Sequence, residues 1–308
     1  MSNFIKNIIN LLRIRQYYKN FLIFVGIFFS ENLFKTNHYF PLIIGFILLC
    51  FTSSINYIIN DIIDVESDKE HQEKLYKKPI ASGELSIKTA IFLLLVLIIV
   101  IVLSVLYIIP NLSFILLLVA IIITGQLYNH VFKNYAFVDI LILSTGYLWR
   151  SLAGCFIIEQ SISSWLLLAI FEVALFLVIA KRKGDLLAFK DKENAIKHKK
   201  VYNVYSEKLL DNFHLITAAS IFITYSLYIF DKFELIEFKD YIVIISIPIL
   251  LYILMRYMYL TTEEPDIARN TEKAFLDKGI MIAGLMIGFI LLYSFYIDII
   301  IEIITKTP

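Results

Sequence analysis

Nine stretches of this 308-residue chain are apolar over nearly the thickness of a lipid bilayer or more, at about 18–34, 39–60, 88–109, 112–128, 136–158, 164–181, 212–230, 241–260 and 279–304. Hydrocarbon offers the backbone no hydrogen-bond partner, so segments of this length cross it as helices whose bonds close internally. A soluble domain of this size could not bury a chain that is 59% hydrophobic and only 18% charged. The expectation is an all-α, polytopic membrane protein of nine transmembrane helices, a single domain over 1–308. The N-terminal segment Met1 to Asn20 is amphipathic and basic, with no short apolar core followed by a small-residue cleavage site, so it is expected to be retained. Cys50 and Cys155 lie inside apolar runs and are expected to pack as thiols without a disulfide. The five histidines show neither helical pairing nor cysteine neighbours, which argues against a zinc site.

The basic residues set the orientation. Lys6, Arg13, Arg15 and Lys19 precede the first span, five lysines from Lys69 to Lys88 follow the second, and nine Lys or Arg lie between Lys181 and Lys208. The opposite set of connectors carries only Lys35, Lys232, Lys239 and Lys306. This bias places the N-terminus and the long polar loops in the cytoplasm and the C-terminus outside, in a multi-pass protein of the cell's cytoplasmic membrane. Short connectors at Pro110-Asn111 and near Gln160 to Ser164 join antiparallel neighbours.

At the cytoplasmic end of the second run stand Asn60-Asp61-Ile62-Ile63-Asp64-Val65-Glu66-Ser67-Asp68. At about 100° per residue, aspartates at i, i+3 and i+7 fall on one helical face, and such crowding beside a membrane points to a divalent cation. Mg²⁺ carrying a diphosphate is the expected occupant, with Asp61, Asp64 and Asp68 as metal ligands and Asn60 as an additional candidate. Lys74 and Lys78 follow in the same loop, suited to the non-bridging phosphate oxygens, before Pro79-Ile80-Ala81-Ser82-Gly83. A solvated, salt-bridged acidic loop is the alternative.

The sixth-to-seventh connector opens on Lys181-Arg182-Lys183-Gly184-Asp185-Leu186, either a topology anchor or a phosphate clamp on the same side as the aspartates. Inside the fifth run, Asp139 and Arg150 are eleven residues apart, nearly three turns, and so share a face. A lone arginine near the bilayer centre costs about 2.5 kcal/mol or more unless paired or wetted. Arg150 is therefore expected to point inward, with Glu172 of the sixth run as its partner.

These segments resemble the UbiA-type polyprenyl transferase superfamily and, more narrowly, the decaprenyl-phosphate phosphoribosyltransferase family. The resemblance is carried by Arg13 to Asn20, Asn60-Asp61-x-x-Asp64-x-x-x-Asp68 through Gly83, Tyr128 with Lys133, Asp139 to Gly154, and Ala180 to Leu186. The chain differs from the family's usual pattern at Ile14, Lys78 and Gly184-Asp185. Where aromatic-acceptor members carry a second aspartate motif, this chain has the basic Lys181-Arg182-Lys183 segment.

The resemblance implies a UbiA-like bundle around a central cavity open to the cytoplasm, capped by loops at about 61–87 and 182–211. It implies Mg²⁺-dependent transfer of 5-phosphoribosyl from phosphoribosyl diphosphate to a polyprenyl phosphate, a step of cell-wall lipid synthesis, with catalysis at Asp61, Asp64 and Asp68. Lys19, Asn60, Lys74, Lys78, Tyr128, Lys133, Asp139, Arg150, Lys181, Arg182 and Asp185 would contact substrate. The implied partners are the two substrates and the bilayer, with no nucleic acid. Two other functions stay open: attachment of an isoprenoid from a prenyl diphosphate to an aromatic or lipid acceptor, and a non-catalytic lipid-binding or transport role.

Overall fold

The computed structural model describes residues 3–69, 78–189 and 192–306, and their regular structure is entirely helical. The helices are α1 (Asn3–Leu12), α2 (Val25–Phe29), α3 (Tyr39–Ile63), α4 (Val65–Lys69), α5 (Ile87–Tyr107), α6 (Leu112–His130), α7 (Val138–Ile157), α8 (Ser164–Leu187), α9 (Lys192–His198), α10 (Glu207–Lys232), α11 (Ser246–Glu263), α12 (Pro265–Arg269) and α13 (Lys278–Lys306). Among the described residues, eight helical stretches are long and apolar enough to cross a membrane.

The run expected at 18–34 takes a different form. It begins as an 11-residue 3-10 helix, Ile14–Phe24, and continues as the five-residue α2. At roughly 2 Å and 1.5 Å of rise per residue, the two together reach about 30 Å, enough for the hydrocarbon thickness. Arg13, with φ 52°, ends α1 in the left-handed conformation, its N–H returning to the Asn10 carbonyl at 3.2 Å. A left-handed residue at this position turns the chain out of a helix.

The described residues pack into two compact units, Met1–Val131 with Gly146–Ile162 and Phe132–Thr145 with Ser163–Pro308. In the first, α3 packs against α5, α6 and the 3-10 segment, burying Ile23, Leu48, Leu49, Phe114 and Leu118. Helix α5 shows why the sequence folds this way: Ala90, Leu97 and Val105, seven and eight residues apart, form its buried stripe, while Phe92, Ile99 and Leu106 stay exposed for lipid. Its start is capped by Ser86, whose hydroxyl accepts the Thr89 N–H at 3.1 Å. Asn111 caps α6 through Phe114 N–H at 2.9 Å and ties the turn to the Phe156 carbonyl at 2.9 Å. Asn56 bridges α3 to α6, donating to the Ile121 carbonyl at 3.0 Å and accepting from Gln126 at 2.8 Å.

In the second unit α8 packs on α10 and α12, and α11 on α13. Helix α8 runs to Leu187, so Lys181 to Leu186 are helical and the connector expected from 182 begins six residues later. The charges do not end the helix because they are neutralised in place: buried Lys183 lies 2.6 Å from Asp211. The far end of that connector is also helical, since α10 starts at Glu207, capped by Ser206.

Gly154 sits where the 3-10 segment touches α7 backbone to backbone, and a Cβ there would come within 1.8 Å of the Ile23 carbonyl oxygen. Gly154→Ala is expected to destabilise the protein by about 1–3 kcal/mol or more, because backbone must move. Gly284→Ala, where no atom lies within 4 Å of the new methyl, is expected to be neutral or slightly stabilising. Thermal melting in detergent compares the two, and equal midpoints would contradict the close contact.

Candidate active site

Helix α3 delivers Asp61 in its last turn, and the chain then kinks at Asp64 before α4 delivers Asp68. The helical ladder survives the kink, since Asp64 N–H reaches the Asn60 carbonyl and Asp68 N–H the Asp64 carbonyl, each at 2.9 Å. Residues seven apart on such a ladder differ by only about 20° in direction, whereas residues three apart differ by about 60°. Asp61 and Asp68 accordingly face one way and are buried, 2% and 1% exposed, while Asp64 is half-buried. Asp64 is thus the most open of the three carboxylates. Among the described residues, no three acidic, histidine or cysteine side chains are gathered as a preformed metal cage.

What joins Asp61 and Asp68 is Lys78. Its ammonium lies 3.0 Å from Asp61 Oδ1 and donates to Asp68 Oδ2. Arg13 adds a second cation, Nη2 to Asp61 Oδ1 at 2.9 Å, with its guanidinium stacked 4.4 Å from the centre of the Tyr57 ring. Two buried carboxylates converging on one cation, with hard oxygen donors, are a donor set that fits Mg²⁺. Half-buried Asp64, whose carboxylate makes no hydrogen bond or ion pair among the described residues, is a further oxygen donor one turn on. Lys74 lies outside the described residues. Asn60 is half-buried beside the cluster.

Deeper in the same unit, Arg150 donates from Nε to Asn20 Oδ1 at 2.8 Å and from Nη1 to the Gly146 carbonyl at 2.5 Å. Asn20 is 1% exposed and passes the chain of bonds to Cys50 Sγ at 3.2 Å. The expected partner, Glu172, is bonded instead to the hydroxyls of Ser220 at 2.5 Å and Thr224 at 3.3 Å. Both groups take neutral partners. Lys19 is half-buried near the Tyr18 ring at 5.8 Å, and Tyr128 is half-buried near the end of α6.

The second unit holds a separate polar cluster. Fully buried Asp139 has both oxygens engaged: Arg182 Nε donates at 2.8 Å to one and the Tyr205 hydroxyl at 2.6 Å to the other. Asp139 thus pairs with Arg182. Asp185 lies 3.7 Å from Arg182 Nη1 and 3.2 Å from Arg269 Nε. Arg182 is buried while Lys181 is exposed, so the two adjacent cations of the sequence occupy unlike environments. Lys133 is half-buried in the short 3-10 turn Phe132–Asn134.

Tyr205 and Lys199 were not singled out by the sequence. Burial and the bond to Asp139 hold the Tyr205 phenol well above its usual range. Burial, reinforced by the Arg182 charge and opposed by Asp139 and Asp185, pushes the Lys199 ammonium down to about 7. Lys199 sits in the run Lys197-His198-Lys199-Lys200, where nothing local separates it from its neighbours.

The profile of the UbiA prenyltransferase family matches residues 20–276 of the chain. The chain is 28% identical over 240 residues to the decaprenyl-phosphate phosphoribosyltransferase of Corynebacterium glutamicum, covering 75% of this chain and 69% of that one. To the enzyme of the same name from Mycobacterium tuberculosis it is 26% identical over 241 residues, 75% of this chain and 76% of the other. Among solved structures, a UbiA homologue from Archaeoglobus fulgidus bound to DMAPP and Mg²⁺ superposes with a TM-score of 0.65 at 16% identity, covering 94% of this chain and 98% of its own. The same homologue bound to GPP and Mg²⁺ gives 0.63 at 16% identity, over 93% and 97%. At such identity the likeness speaks to the fold.

The depressed pKa of Lys199 predicts a pH dependence. Between about 7 and the ordinary 10.5 the unfolded chain holds a proton at this site that the folded chain does not, so its contribution to stability rises with pH across that window. The stability of Lys199→Met relative to the parent is therefore expected to fall steadily from pH 7 to 10. Melting curves across that range check it, and a flat difference would show that the lysine titrates normally.

Proposed function

The chain belongs to the UbiA prenyltransferase family, and on that premise we propose that it transfers the 5-phosphoribosyl group of phosphoribosyl diphosphate to a polyprenyl phosphate in the cytoplasmic membrane, releasing diphosphate. The observation that carries this reading is the buried Asp61–Lys78–Asp68 cluster at the polar end of an apolar helix. The names of the similar curated proteins support the transferred phosphoribosyl group and the acceptor class.

In this proposal Asp61, Asp64 and Asp68, with Asn60 beside them, hold Mg²⁺, which when bound offsets the charge of the departing diphosphate. Lys78, which holds Asp61 and Asp68 from one side, would donate to the non-bridging oxygens, a role Lys74 would share. The bond broken joins the anomeric carbon to the diphosphate oxygen, and the bond formed joins that carbon to an oxygen of the lipid phosphate. The acceptor is already an anion, so no side chain need remove a proton. What remains is positioning and electrostatic stabilisation of an oxocarbenium-like centre.

Lys181 is the open cation of its segment and takes a phosphate oxygen. Arg182 is held by Asp139 and Asp185 and completes the cationic side of that segment. Asp139 and Asp185 thereby act as positioning residues. Arg150 bears a positive charge within a span and has no carboxylate partner among the described residues, which suits an anionic headgroup. Lys19, Tyr128 and Lys133 complete the substrate contacts. The N-terminus and the polar connectors face the cytoplasm, where the soluble donor is available.

Asp64→Asn tests the metal role cleanly, because the Asp64 carboxylate makes no hydrogen bond or ion pair among the described residues. Transfer is expected to fall by about 100-fold or more with an unchanged melting midpoint. Full activity would remove the metal from the mechanism. Membranes incubated with labelled phosphoribosyl diphosphate are expected to pass label to the lipid fraction in the presence of Mg²⁺. Labelling from a prenyl diphosphate instead would assign isoprenoid transfer, and labelling from neither would remove the catalytic reading.

A further inference from the structure

A cavity of about 370 Å³ opens in the first unit where α1 meets the 3-10 segment, its polar wall formed by Asn10, Arg13, Arg15, Gln16 and Lys78. We propose that this cavity is a phosphomonoester site, distinct from the Asp61–Asp68 carboxylates and adjoining them through Arg13 and Lys78.

Charge is the first argument. Arg13 and Lys78 are balanced by the two carboxylates they hold, Asp61 and Asp68. Arg15 is exposed and has no carboxylate partner among the described residues, so the wall carries a surplus positive charge. Hydrogen-bond direction is the second. The Tyr57 hydroxyl donates to Gln16 Oε1 at 2.7 Å, which occupies the acceptor end of that amide and leaves its NH₂ to donate elsewhere. Two guanidinium groups, an ammonium and an amide NH₂ together make a wall dominated by donors, suited to the oxygens of a phosphate rather than to a neutral or cationic ligand.

Placement is the third argument. Arg13 holds a left-handed backbone conformation, φ 52°, that only its surroundings sustain. That conformation aims its side chain at Tyr57 and Asp61 and turns the next residues around the cavity. Arg13 and Lys78 thus each touch a carboxylate on one side and line the cavity on the other. A ligand bearing two phosphoryl ends joined by a small sugar would meet metal-type carboxylates at one end and this wall at the other. Its volume lies in the range of small-ligand sites.

Assigning the phosphate to the sugar end of the donor rests on the function proposed above. The preference for a phosphomonoester does not, since the acceptor lipid carries the same group. Calorimetry on the full chain in detergent separates the sources, with ribose 5-phosphate, geranyl phosphate and Mg²⁺ with inorganic diphosphate as probes. Arg15→Gln is expected to weaken ribose 5-phosphate binding ten-fold or more and Arg15→Lys by less, while Mg²⁺-diphosphate binding stays within about twofold. Should geranyl phosphate carry the Arg15 dependence instead, the site stands and its phosphate comes from the acceptor. Should wild-type protein bind Mg²⁺-diphosphate but no ribose 5-phosphate, the donor assignment fails and the geranyl phosphate arm alone decides the cavity. If neither phosphomonoester depends on Arg15 in a variant that melts like the parent, the proposal is overturned.

Discussion

Hydrocarbon gives a charge or an unpaired polar group nothing to bond to, and the placement of charged side chains in this chain follows from that. Within the spans, hydroxyls return to their own backbone, as Thr52 does to Leu48, Ser144 to Ile140 and Thr217 to Phe213, each at 2.8 Å. Several charged groups at the span ends are closed into pairs: Asp139 with Arg182, Lys183 with Asp211, Asp277 with Arg256. Arg150 departs from the pattern, its charge answered by an amide and a carbonyl. A cation without a counter-charge within a span is costly unless such polar groups answer it.

The Asp61–Lys78–Asp68 cluster obeys the same rule in another way. Two carboxylates buried side by side repel, and the lysine between them supplies the opposing charge. An ammonium in that position is a monovalent occupant of a site whose oxygens suit a divalent one. In the proposed function the same arrangement would serve both folding and the capture of a metal-bound diphosphate.

Much of this was legible residue by residue. The turn at Pro110-Asn111 and the placing of Asp61 at the polar end of an apolar helix follow from local spacing and hydropathy. The first span was legible as apolar but not as 3-10, since that winding accompanies a carbonyl of Ile23 lying against Gly154 of a distant helix. The end of α8 was placed too early at Lys181, because local hydropathy counts Arg182 and Lys183 as charges and has no access to the aspartates that neutralise them. Nothing in the sequence distinguished Tyr205 or Lys199.

Taken alone, the sequence determined that the chain is a bundle of membrane-crossing helices, which ends of those helices carry charge, and that an aspartate motif of one family stands at one of them. These are properties of segments, set by hydropathy over about twenty residues and by a fixed helical angle. The tertiary structure decided who pairs with whom: Asp139 with Arg182 and Tyr205, Arg150 with Asn20 rather than with Glu172, and Lys78 as the cation between two acids. Partnership depends on which helix faces packing brings together, and that is a property of the whole packed chain that no local window contains.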